Sequence, residues 1–194
     1  NKLSDGELIG RVQPYRSKLF AIVGVNNDPD RIVTLLKPLI DSLCKEVNEN
    51  VMLSVIKNDK RINLYSVTAN HPIEAKIIYE MKAWQATTAK VIIAQYSSEK
   101  LNNFLKLAGM PGKDWPEVKT KEDLLNCLSE IRAKNCFTVI NQHFACIAAP
   151  VFKNGEVIAS IGCYLPDMRL TKSFHKKLED KLSETIQKAE ILLG

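Results

Sequence analysis

The chain has 194 residues and a mass of 21.8 kDa, which sets the expectation of one principal domain around a packed core. Its 45% hydrophobic and 25% charged residues, with 8 Gly and 8 Pro, exclude collagen-like, mucin-like and disordered classes. The balance of 27 Lys and Arg against 22 Asp and Glu leaves a formal charge of +5, a surplus that gives only a mild attraction to phosphate or anionic lipid and does not demonstrate nucleic-acid binding.

The basic residues are also interleaved with acids, as in Lys176, Lys177, Glu179, Asp180, Lys181 and Glu184, which is the pattern of a solvated helix face. No apolar run approaches the roughly 20 residues needed to cross a bilayer, and no secretory pattern marks the amino terminus. The expectation is a cytoplasmic chain without membrane contact. Cys44, Cys127, Cys136, Cys146 and Cys163 are odd in number, widely spaced and without a CxxC pair, so no zinc ribbon or disulfide framework is expected. A first residue that is Asn1 rather than Met is compatible with a fragment of a longer protein.

The opening stretch from Asn1 to Gly24 is polar and reads as a connector. Asp28 then stands at a helix N-cap with Pro29 at the first helical position. Ile32, Leu35, Leu36, Leu39, Ile40, Leu43 and Val47 follow at three- and four-residue steps, with Pro38 as a kink. Two β-branched runs, Val51 to Lys57 and Ile62 to Thr68, separated by Asn58, Asp59, Lys60 and Arg61, predict a hairpin. A further strand is expected from Glu74 to Met81, then a helix from Gln85 to Tyr96 and another from Ser98 to Leu107. Gly109, Pro111, Gly112 and Pro116 mark a loop. Thr120 with Asp123 forms an acidic capping box before Leu124, Leu125, Leu128 and Ile131. Strands are expected over Phe137 to Ile140, Ala145 to Phe152 and Val157 to Tyr164, the last two joined by a tight Lys153 to Glu156 turn, before a long helix from Thr171 to Leu193. Hairpins in place of strand-helix alternation predict an α+β fold with an antiparallel sheet covered by helices.

Two places carry the residue types of a site. His143 lies three residues from Cys146, the pairing of a thiol enzyme, but on a strand that offset puts the two side chains on opposite faces. Cys146 therefore reads first as a small apolar core residue and second as part of a ligand pocket. Trp84, Gln85, Thr87 and Thr88 gather an indole, an amide and two hydroxyls at a strand-to-helix junction, the make-up of an anion-accepting pocket or, equally, of a helix start with a packed Trp. His71, His143 and His175 lack metal-site companions and the glycines form no phosphate loop, so neither a metal nor a cofactor is expected.

The stretch FACIAAPVFKNGEVIASIGCYLP resembles the most recognisable block of the effector-binding domain of IclR-family bacterial transcriptional regulators. AWQATTAKVIIA is similar to that family's Thr-Ala-x-Gly-Lys helix start, and EDLLNCLSEIRAKNCFTV to its helix followed by Arg-x-x-Gly-Tyr and a strand. The resemblance runs from about Tyr15 to Gly194. It implies a GAF-like antiparallel sheet of about five to six strands over residues 26–194, with residues 1–25 a linker from a winged helix-turn-helix that lies outside the chain. It also implies a small-molecule effector, an organic acid, a homodimer or tetramer, DNA binding only through that winged helix, and no catalysis.

Carried over residue by residue, the resemblance puts Thr87 and Thr88, with Lys90 anchoring their helix, beside an effector carboxylate, and Cys146 on the pocket cysteine. Gly162 and Tyr164 replace two serines common in members that sense small oxo-acids. The acidic loop before the cysteine strand is about three residues shorter, with Val139, Ile140, Asn141 and Gln142 where carboxylates are usual. The implied ligand-binding set is Met81, Trp84, Thr87, Thr88, Asn141, Cys146, Gly162 and Tyr164, with Gln142 beside it, suited to a partly apolar, aromatic or sugar-derived acid. Two other readings stay open: a small GAF-like thiol enzyme using Cys146, and an oligomerisation module without ligand, or with its site filled by Tyr164.

Overall fold

The computed structural model describes residues 28–71, 78–141 and 143–194. The connector expected over residues 1–25, the first half of the strand expected from Glu74 to Met81, and Gln142 lie outside them. Five α-helices and six strands follow in the order α1 (Pro29–Val47), β1 (Asn50–Lys57), β2 (Lys60–Val67), β3 (Glu80–Lys82), α2 (Thr87–Ile93), α3 (Ser98–Ala108), α4 (Lys121–Arg132), β4 (Phe137–Asn141), β5 (Phe144–Lys153), β6 (Glu156–Pro166) and α5 (Lys172–Leu193).

Local chemistry sets the helix boundaries. Asp28 accepts a hydrogen bond from the Asp30 amide to start α1, and Asn48, in the left-handed region at φ 53°, ends it by donating to the Cys44 carbonyl. Pro38 is accommodated inside the unbroken 19-residue helix. Thr120 and Asp123 form the full capping box of α4, each backbone amide donating to the other residue's side chain. Thr171 caps α5 by accepting from the Phe174 amide.

All neighbouring strands are antiparallel, in the order β3-β2-β1-β6-β5-β4. Asn154 and Gly155, both at positive φ, make the two-residue turn between β5 and β6, the mirror-image geometry that matches strand twist. Strand alternation then divides the side chains. Ile147, Ala149, Ile161, Cys163 and Leu165 pack beneath α1 and α5, against Leu36, Ile40, Leu178 and Leu182, in one core. Each such fully buried Leu or Ile contributes about 1.5–3 kcal/mol. Ala148 turns to the opposite face and joins a second core built from α2, α3 and α4 around Trp84, Phe104, Trp115, Leu124 and Leu128. The sheet is thus sandwiched between a two-helix and a three-helix layer.

Three expectations are corrected in detail. The hairpin turn holds only Asn58 and Asp59, with Lys57 paired to Lys60, so Arg61 belongs to strand β2. The helix expected from Gln85 to Tyr96 divides into a 3₁₀ turn, Ala83–Gln85, and the short α2. Of the strand expected from Glu74 to Met81, Glu80 and Met81 lie in the three-residue edge strand β3, and Ile78 and Tyr79 precede it.

Candidate functional site

The second helical layer does not cover the whole sheet face. Between the 3₁₀ turn with the start of α2 on one side and strands β1, β2, β5 and β6 on the other lies a cavity of about 130 Å³. Its sheet wall follows from register: Cys146 pairs with Val139 on one side and Tyr164 on the other, Asn141 pairs with Phe144, and Arg61 pairs with Met81. Ala86 and Thr87 close the helical side.

Five of the residues expected at a site, Met81, Thr87, Asn141, Cys146 and Tyr164, line this cavity. Tyr164 forms its wall without filling it, because the ring is stacked on Phe144 at 5.3 Å and 20° between planes. The neighbouring Thr87 hydroxyl favours the thiolate of Cys146, yet burial dominates and pushes that thiol up to about 11. Burial also raises the Tyr164 phenol.

Trp84, Thr88 and Gly162 are not in the cavity wall. The Trp84 indole N–H donates to the Gly109 carbonyl at 3.0 Å, and its ring meets Phe104 edge-on at 5.2 Å, so the residue belongs to the second core. Thr88 is buried where α2 crosses the sheet, with its methyl against Gly162, so this pair serves packing. Lys90 is buried one helical turn along, over the Trp115 ring at 4.2 Å. Ala86 at the N-cap of α2 supplies no side-chain acceptor to the helix start.

Sequence reasoning missed Arg61, which is 3% exposed and lines the cavity. Its Nη1 donates to the Ile78 carbonyl at 2.7 Å and reaches that of Tyr79 at 3.4 Å, while Nη2 lies 2.9 Å from Met81 Sδ. Its Nε has no hydrogen-bond partner among the described residues. Met52, Ile78 and Phe144 complete much of the apolar lining. The signal for Arg61 lay in the turn: a two-residue turn puts Arg61 on a strand, and the alternation Arg61, Asn63 then runs along the buried face opposite Ile62.

For a thiol enzyme, Cys146 needs a base within reach. Among the described residues no His, Asp, Glu or Lys lines the cavity. His143 is in the exposed turn before β5, at φ 80°. Among the described residues no three His, Cys, Asp or Glu side chains gather as metal ligands, and no helix is long and apolar enough to cross a membrane.

The family model described as bacterial transcriptional regulator IclR C-terminal matches residues 28–190. The chain belongs to the IclR family. The match coincides with the sheet and its helical layers, so the domain described is the C-terminal domain of such a regulator. No curated protein sequence matches the chain.

Solved structures share the fold at low identity. A transcriptional regulator of Rhodococcus sp. RHA1 superposes with a TM-score of 0.76 at 16% identity, covering 98% of this chain and 76% of its own. The Thermotoga maritima IclR gives 0.75 at 17%, over 97% and 74%. An IclR homologue of Microbacterium hydrocarbonoxydans, crystallised in complex with 4-hydroxybenzoate, gives 0.70 at 17%, over 85% and 69%.

Proposed function

We propose that residues 26–194 are the effector-sensing domain of an IclR-family regulator, which binds a small organic acid in the cavity beneath α2 and carries out no covalent chemistry. The observation that carries this reading is convergence: Met81, Thr87, Asn141, Cys146 and Tyr164, from five separate elements, border one cavity. A cavity of about 130 Å³ is close to the roughly 150 Å³ that holds a benzene ring. The complex of the Microbacterium homologue with 4-hydroxybenzoate supports a ligand of that size. The raised thiol of Cys146, without a base beside it, favours sensing over catalysis.

In the full regulator, occupancy of the cavity biases a homodimer or tetramer in the cytoplasm, and a winged helix-turn-helix reads DNA. Thermal shift across a library of organic acids tests the sensor. A ligand at a hundredfold excess over its dissociation constant stabilises by about 2.7 kcal/mol, which is roughly 5–10 °C for a domain of this size. Val139→Trp, which fills the cavity from strand β4, should abolish that response while leaving the unliganded domain folded. Silence of the wild-type domain across the library would move the assignment to an oligomerisation module.

A further inference from the structure

A guanidinium withdrawn from water is normally paired with a carboxylate, because the cost of desolvating a charge is recovered only by an opposite charge or a full set of hydrogen bonds. The other arginines that bond within this domain follow that rule or stay wet. Arg169 holds Glu49 through two bonds of 2.7 and 2.6 Å. Arg132 donates to the carbonyls of Ala94 and Tyr96 but is exposed. Arg61 does neither. It is buried, its partners are two carbonyls and a thioether, its Nε is unpartnered, and no acidic side chain reaches it among the described residues.

Arg61 is also the one ionised side chain among the described residues that line the cavity. Cys146 and Tyr164 are held neutral by burial, and the remaining polar groups, Gln85, Thr87 and Asn141, carry no charge. The unliganded cavity therefore holds a net charge of +1. The bonds to Ile78 and Tyr79 fix the guanidinium against the sheet, so its orientation precedes any ligand.

We infer that Arg61 is the receptor for the carboxylate of the effector, and that the effector is a monoanion with one planar or apolar body the size of a six-membered ring. A single carboxylate neutralises the single charge. A second one would be buried without a cation, which selects against dicarboxylates of the same size. The body of the ligand meets Met52, Val139, Phe144 and Met81. Thr87 and Asn141 offer neutral hydrogen bonds to a hydroxyl on that body. This assignment moves the anion contact expected at the start of α2 to strand β2, and it rests on the sensor reading above.

The probes are benzoate, its neutral isostere benzamide, and the dianion terephthalate, titrated into the whole chain by calorimetry and followed through the Met52 and Met81 methyl resonances. Benzoate is expected to bind at least about tenfold more tightly than benzamide, the scale of one charge-assisted hydrogen bond, and terephthalate more weakly than benzoate. Arg61→Met should weaken benzoate at least about tenfold more than it weakens benzamide, removing the preference, and Arg61→Lys should restore part of it. The wild-type comparison stands even if Arg61→Met does not fold. Equal binding of benzoate and benzamide with both methyls shifting would overturn the Arg61 assignment and leave the sensor standing. Absence of any methyl response to the probes and the acid library would take down the sensor reading and this inference with it.

Discussion

A β-carbon on Gly162 would stand 2.6 Å from the Cγ2 of Thr88, so helix α2 lies as close to the sheet as it does because residue 162 has no side chain. Thr88 is a buried, β-branched helical residue with little rotamer freedom to yield. Gly162→Ala should therefore destabilise by about 1–3 kcal/mol through overpacking, read as a lower urea midpoint at unchanged slope. Thr88→Ser deletes the offending methyl. In the double variant the combined loss should be smaller than the sum of the two single losses by at least about 0.5 kcal/mol. Simple additivity would mean that the contact does not set the spacing.

Glu49 and Arg169 form a pair whose two halves are unequally buried. The Glu49 side chain is 3% exposed and that of Arg169 28%. Arg169→Met strands a buried carboxylate and should cost about 3 kcal/mol, whereas Glu49→Gln leaves an arginine that can turn to water and should cost about 1 kcal/mol. Denaturant titrations of the two variants check the ordering, and the reverse order would contradict it.

Burial lowers the Lys90 ammonium to about 8, against an ordinary value of 10.5. Between these values the unfolded chain binds more protons than the folded one, so this group makes stability rise as pH increases from about 8 to about 10.5. The gain is at most about 3 kcal/mol. Relative to Lys90→Met, wild type should become more stable on going from pH 7.5 to pH 10. A difference between the two that is independent of pH would show that Lys90 is not desolvated.

Cys146 should behave as a quiet thiol. With burial holding it at about 11, its thiolate fraction at neutral pH is about a hundredfold below that of a thiol at the ordinary 9.0. Peptide mapping after maleimide treatment should find it modified correspondingly more slowly than a free peptide thiol. Fast, selective labelling of Cys146 would revive the thiol-enzyme reading.

The fold was legible wherever a periodic stripe and a cap agreed. Helix α1 carries both Asp28 with Pro29 and the Ile32, Leu36, Ile40, Leu43 stripe, and α5 has Thr171 ahead of Leu178, Leu182 and Ile186. Ile78 and Tyr79 were expected in a strand but precede β3, whose three paired residues are too few for a period to register. The site was half legible. Cys146 and Tyr164 are cross-strand partners, so any reading that places one on the cavity face places the other there. Trp84 misled because an indole at a strand-helix junction serves a core as well as a pocket, and only the three-dimensional position of Phe104, twenty residues on, decides between them. Arg61 was hidden by one step of turn length: Asn58 at φ 56° lets the chain reverse in two residues, which moves Arg61 from a solvated loop to the buried face.

The central claim is that a small acid binds in the cavity beneath α2, and the four methionines provide the direct test. Met52 and Met81 line the cavity, while Met110 and Met168 are exposed and outside its wall. In methyl-labelled protein, titration with benzoate or 4-hydroxybenzoate should shift the Met52 and Met81 resonances saturably and leave those of Met110 and Met168 in place. Shifts confined to Met110 or Met168, or none at all with either acid, would contradict the account.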